Sequence, residues 1–221
     1  MELTIQQILN QAITFQKVGN LVEAEKCLKK VIKIKPNLEL AHVNLGILLN
    51  KLSRFNEAEI SYKKAIEIKP NFFEAHYNIG NTHKQLGKLA DAETSYNRAM
   101  VCNPKDPIVP YNLGNTLKAL GKLKEAEKSF CDAIKLNPNY FAAYNNLGNT
   151  LKEIGNLEEA IKAYKKALSL EPNYATGHNN LGNALKDQGK LDEAITAFNK
   201  ALHLEADNAA TYNNIGLTLK D

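Results

Sequence analysis

Histidine, cysteine and asparagine are the residue types here whose chemistry and spacing bear most on function. The five histidines could ligate a metal or move protons, the three cysteines could act as nucleophiles, and 27 asparagines could form hydrogen bonds. His42 and His76 are 34 residues apart, and His178 lies three such steps further on. His76 and His83 are seven apart, which is two helical turns, and no carboxylate or cysteine joins them at the spacing of a zinc site. They are expected to be packing residues with satisfied hydrogen bonds. Cys27, Cys102 and Cys131 are odd in number and far apart, which suits reduced, mostly buried thiols rather than disulfides or a metal. There is no glycine-rich phosphate loop and no strained nucleophile turn. No catalytic residue, metal or cofactor is expected, and the chain does not read as an enzyme.

The asparagines do have a pattern. Asn10, Asn44, Asn78, Asn112, Asn146, Asn180 and Asn214 recur every 34 residues, and Asn81, Asn115, Asn149 and Asn183 recur three residues further along. A carboxamide carries both a donor and an acceptor, so it can pair with a peptide N–H or C=O without reading side chains. A row of them suits an extended backbone of varied sequence. The other role that fits is structural, with each asparagine bonding to the neighbouring repeat.

The same step orders the residues that build the scaffold. Pro36, Pro70, Pro104, Pro138 and Pro172 are spaced by 34, as are Gly46 to Gly216 and Ala24 to Ala194, with no insertion or deletion from Ile5 onward. With the proline as motif position 32, the repeats are 5–38, 39–72, 73–106, 107–140, 141–174 and 175–208, and a partial seventh covers 209–221. The whole of 1–221 therefore reads as one array. Each unit predicts two helices. In the fourth, Leu113, Leu117 and Leu120 mark one face of the first helix, and Gly121 stops it. Leu123, Ala126, Phe130, Ala133 and Ile134 mark the second, which ends before Pro138. Thr4 and Gln7 predict a capping box at the start of the first unit. One unit cannot bury its own apolar face, whereas a stack can.

This Gly–Ala–Tyr/Phe–Ala–Pro series resembles the tetratricopeptide repeat (TPR) family over nearly the whole chain. The first unit departs most, with Ala12, Leu28 and Val31 at three of the signature places. The resemblance implies an all-α, right-handed superhelical solenoid of helix-turn-helix repeats whose inner groove, lined by first helices, binds peptides or partner proteins. The asparagine row is most similar to the ladder of O-GlcNAc transferase-type TPR superhelices, which implies a grip on substrate peptide backbone. A TPR subclass that clamps chaperone C-terminal carboxylates uses Lys and Arg at positions 2, 5 and 6. This chain has neither type there, so that clamp is not expected.

Motif positions 2, 5, 6, 9, 12 and 13 share the stripe expected to line the groove. Besides the asparagines it carries Tyr77 and Tyr111, the doublets Asn145/Asn146, Asn179/Asn180 and Asn213/Asn214, and a lysine column of Lys84, Lys118, Lys152 and Lys186. The column would either orient an acidic ligand or form a solvated edge. Near the N-terminus the stripe becomes apolar, with Leu9, Ile13, Leu40, Val43 and Ile47. That patch is expected to hold apolar side chains of a partner or a second copy, unless local packing covers it.

A net charge of +4 with only two arginines, Arg54 and Arg98, argues against nucleic acid as a partner. No apolar run is long enough for a membrane span, and Met1-Glu2-Leu3-Thr4 lacks a secretory leader, so a cytoplasmic location is expected. The segment 103–110 holds three prolines, and a local change in repeat angle is expected there rather than a domain boundary. Ile215, Leu217 and Leu219 in the partial unit are expected to be uncovered, a second route to self-association. The function that follows is a non-catalytic scaffold binding protein or extended peptide. The alternative is the substrate-binding arm of a larger, glycosyltransferase-like enzyme whose catalytic domain lies outside this chain.

Overall fold

The computed structural model describes residues 4–220. Met1–Leu3, on which the expected lack of a secretory leader rests, and the final Asp221 lie outside the described residues. Regular structure among the described residues consists of thirteen α-helices, which divide into two compact units between Lys105 and Asp106. That division falls inside the proline-rich junction.

Unit 1 contains α1 (Ile5–Lys17), α2 (Leu21–Ile34), α3 (Glu39–Lys51), α4 (Phe55–Ile68), α5 (Phe73–Gln85) and α6 (Leu89–Cys102). The Thr4 hydroxyl accepts the Gln7 N–H at 3.2 Å, while the Gln7 side chain accepts the Thr4 N–H at 2.8 Å. The predicted capping box is therefore present. Each first helix packs on its own second helix, and each second helix packs on the next first helix. Ala24, Ala58 and Ala92 are fully buried, because only a small side chain lets the paired helices approach closely.

Unit 2 contains α7 (Ile108–Ala119), α8 (Leu123–Leu136), α9 (Phe141–Ile154), α10 (Leu157–Leu170), α11 (Ala175–Asp187), α12 (Leu191–Leu204) and α13 (Ala209–Thr218). The same alternation of contacts repeats within it. Helix α7 starts at Ile108, whose N–H donates to the Asp106 carboxylate two residues back at 2.8 Å.

The glycine at motif position 8 seats the aromatic ring at position 24. A Cβ on Gly182 would stand 2.5 Å from the Phe198 ring, and one on Gly148 would stand 2.6 Å from Tyr164. Both rings are fully buried. The loop after each first helix turns on a residue with positive φ at motif position 15. This is glycine in five units, but Ser53 occupies it in the second with φ 57°. Of the C-terminal apolar residues, Leu217 and Leu219 are exposed, whereas Ile215 is half-buried and packs on the α9–α12 core. The preceding repeat covers it, against the expectation of an uncovered Ile215.

Candidate functional site

Threonines fix the asparagine-bearing stretch of the first helices. The Thr82, Thr116, Thr150 and Thr218 hydroxyls each donate to the carbonyl of the position-6 asparagine one turn earlier, at 2.7–2.9 Å. These threonines are almost fully buried. A hydroxyl that donates within its own helix keeps its oxygen free to accept from elsewhere. The sequence reading passed over them, although they recur at position 10 with the same period.

In unit 2 the asparagines bond from one repeat to the next. Asn146 donates to the Asn115 carboxamide oxygen at 2.8 Å and to the Tyr111 hydroxyl at 3.2 Å. Asn180 donates to Asn145 at 3.0 Å, and Asn214 donates to Asn179 at 3.0 Å. These bonds span 31 or 35 residues, so they join adjacent repeats. The doublets thus divide their work: Asn145, only 3% exposed, and half-buried Asn179 accept from the next repeat, while Asn146, Asn180 and Asn214 donate to the preceding one. Asn145 also donates to Asn146 at 3.2 Å, which leaves Asn146 nearly saturated. Among the described residues, no donor reaches the Asn180 or Asn214 carboxamide oxygens, and the half-buried Asn183 carboxamide makes no hydrogen bond. Asn213 is exposed, and Asn112 is half-buried with a partner of its own.

The position-9 asparagines follow the residue at position 24. Where that is tyrosine, its buried hydroxyl donates to the asparagine, Tyr96 to Asn81 at 2.6 Å and Tyr164 to Asn149 at 2.7 Å. Burial pushes both phenols well above the usual tyrosine range, so they remain donors throughout the physiological range. Asn115 and Asn183 stand in units with Phe130 and Phe198, which have no hydroxyl to offer. In the second unit Ile47 takes position 9, and Tyr62 instead accepts from Asn50 at 3.2 Å.

Unit 1 shows less of a row. Asn78 donates back to the Glu74 carbonyl at 2.8 Å, and Asn10 accepts from Gln6 at 3.1 Å. Asn44 is half-buried between them in sequence. Tyr77 stacks on Phe73 with centroids 5.9 Å apart, and in unit 2 Tyr111 packs against Tyr140 at 4.8 Å.

Two of the four lysines in the column are neutralised. Lys118 pairs with Glu153 at 2.6 Å and Lys152 with Asp187 at 3.0 Å, each joining position 12 to position 13 of the next repeat. These pairs make the edge a structural seam, which the first-helix stripe alone did not predict. Lys186 is half-buried, and burial holds the Lys84 ammonium below the usual lysine range.

The apolar patch requires correction. Leu9 and Val43 are 5% and 2% exposed and belong to the core of unit 1, and Ile47 is half-buried against that core. Only Ile13 and Leu40, at 46% each, are exposed. Where neighbouring first helices press together, position 5 is covered, so a five-residue contact surface is not available. The histidines are satisfied, as expected: His42, His76 and His178 bond through Nε2 to the carbonyls of Pro36, Pro70 and Pro172 at 2.7–2.9 Å. The cysteines are half-buried and unpaired, and burial raises their thiols above the usual range. Among the described residues, no group of three or more His, Cys, Asp or Glu side chains could hold a metal ion, and no helix is long and apolar enough to cross a membrane.

A family model described as TPR repeat matches residues 48–87, 114–155, 148–189 and 182–221, and two described as tetratricopeptide repeat match 73–106 and 8–38. The chain belongs to the tetratricopeptide repeat family. Its fold is an all-α TPR solenoid, a class that presents extended surfaces for protein interaction. No curated protein sequence matches it. Among solved structures it is similar to MamA, with 30% identity over 75% of this chain and 97% of that one and a TM-score of 0.71. YrrB, described as a TPR protein with an unusual peptide-binding site, shares 22% identity over 84% of this chain and 96% of that one, with a TM-score of 0.74. The pilF protein of Pseudomonas aeruginosa shares 18% over 96% of each chain, with a TM-score of 0.79. At these last two identities the likeness is one of fold.

Proposed function

We propose that this TPR chain is a non-catalytic scaffold that binds an extended peptide along the first-helix asparagines of unit 2. The observation that carries the reading is the division of labour in that row. Asn145, Asn146 and Asn179 are tied between repeats, while the Asn180 and Asn214 oxygens and the whole Asn183 carboxamide keep hydrogen-bonding capacity open. Asparagines held by their neighbours meet a ligand already oriented, which lowers the entropy lost on binding. Amide donors and acceptors spaced along the helices match those of a peptide backbone, so affinity would depend little on ligand sequence. YrrB, whose fold is similar, is described as having a peptide-binding site. The resemblance to the O-GlcNAc transferase-type ladder is part of the same reading.

The test is peptide capture by the wild-type chain and by Asn183→Ala. Asn183 makes no bond within the protein, so its loss should leave thermal stability unchanged while weakening capture about 3- to 10-fold, the effect of one hydrogen bond. Equal capture by both proteins rejects the row as a binding device.

A further inference from the structure

A second concavity lies on the other side of unit 2, between the second helices α10 and α12 and above α11. It is a cleft of about 680 Å³, within the range of ligand-binding clefts. Leu168, Leu181, Leu185 and Ala197 supply its apolar lining, and the partly exposed Leu204 stands at its margin. None of the asparagine-row residues lines it.

Two local substitutions distinguish this repeat from the one before it. Motif position 3 is Ala41, Ala75 and Ala143 in three other units but Gly177 here. A Cβ on Gly177 would meet Tyr174 at 2.5 Å and Leu168 at 3.0 Å, so the glycine lets Leu168 settle onto α11. Position 4 is His178 rather than the bulkier Tyr144, and its Nε2 is bonded to the Pro172 carbonyl at 2.9 Å. Both changes remove volume beside the cleft.

The charged lining carries two lysines against one carboxylate. The Thr196 and Ser169 hydroxyls donate to carbonyls of their own helices at 2.9 and 2.7 Å. The cations left are Lys165 on the α10 wall and Lys200 on the α12 wall, with the His203 imidazole beside it. The one lining carboxylate, Glu193, lies 3.9 Å from Lys165. An occupant must therefore bring bulky aliphatic groups for the floor and more than one carboxylate, since cations stand on both walls. A lone fatty acid carries only one.

We infer that this cleft is a second peptide site, independent of the asparagine row, that takes a short segment of leucine-like side chains flanked by Asp or Glu. The test uses fluorescence anisotropy with a labelled peptide, Asp-Leu-Leu-Asp-Glu-Leu-Leu-Glu, and its counterpart with lysine at every acidic place. The acidic peptide should bind at least ~10-fold more tightly than the basic one, and Lys200→Glu should weaken it by about 10-fold. Thr196→Trp, at an exposed wall position, should abolish binding by filling the cleft, while Asn183→Ala should leave it unchanged. Circular dichroism checks that both cleft variants are folded, and Lys200→Glu, at an exposed site, carries the test if Thr196→Trp is not. Equal affinity for the two peptides, no binding of either, unaltered binding by folded Thr196→Trp, or displacement by decanoate at the peptide's own concentration would each overturn the proposal.

Discussion

The same substitution, glycine to alanine at motif position 8, should change sign between two repeats. At Gly182 a Cβ would stand 2.5, 2.6 and 2.9 Å from three carbons of the Phe198 ring. Carbon atoms in contact prefer roughly 3.5–4.0 Å, so the ring must retreat by about 1 Å. It has nowhere to go, because Phe198 is fully buried in the core shared by α9 to α12. Overpacking of this kind costs about 3 kcal/mol, and the better helix propensity of alanine returns about 1, a net loss of ~2 kcal/mol. At Gly216 nothing lies within 4 Å of the added Cβ. There the propensity gain acts alone, and in the last helix it should stabilise by ~0.5 kcal/mol. The variants should thus differ by about 2.5 kcal/mol in opposite directions. Urea unfolding followed by circular dichroism ranks them, and hydrogen exchange of α11 amides localises the effect, since repeat arrays need not unfold in one step. If Gly182→Ala proves as stable as the parent, or Gly216→Ala less stable, the ring-on-glycine account of the repeat is wrong.

Three further outcomes follow from individual residues. Hydrogen bonds from Lys63 and Lys88 hold the Glu59 carboxyl at about 2, below its ordinary 4.5. A depressed carboxyl stabilises above its unfolded value, so unit 1 should lose about 1 kcal/mol as pH falls from 4.5 towards 2, and Glu59→Gln should flatten that part of the pH–stability curve. Asn145→Ala removes the acceptor for Asn180 and the donor to Asn146 at a buried position, and should cost about 2 kcal/mol in urea unfolding. Ser53 holds a left-handed φ of 57° where five other units place glycine, so Ser53→Gly should raise the melting temperature, by roughly 0.5–1 kcal/mol of stability.

The repeat architecture was legible in the sequence because its causes are local. Pro172 and its equivalents end second helices, Gly121 and Gly189 turn between helices, and Thr4 with Gln7 caps the first. Each acts within a few residues, so spacing reveals it. The residues that went astray depend on contacts between repeats. Val43 and Leu9 lie on the first-helix stripe, but neighbouring helices cover them. Lys118 and Lys152 looked like a charged edge, yet each meets an acid 35 residues further on. Of the two roles weighed for the asparagines, the structural one is seen at Asn146, which holds repeats together, while Asn183 makes no such bond. Whether a position-9 asparagine is occupied depends on a single oxygen, present in Tyr164 and absent from Phe198. The α10–α12 cleft was not foreseen, because Gly177 reads as one more small residue until Leu168 and Tyr174 are seen to pack on it.

The central claim is that the unit 2 asparagines hold a peptide by its backbone. Calorimetric titration of the chain with one captured peptide, with a scrambled version, and with a version N-methylated at alternate amides tests it most directly. The account predicts that scrambling changes affinity by less than about 3-fold, whereas methylation, which removes N–H donors and leaves the side chains intact, weakens it by about 10-fold or more. Retained binding of the methylated peptide, with loss on scrambling, would show that side chains are read and would contradict it.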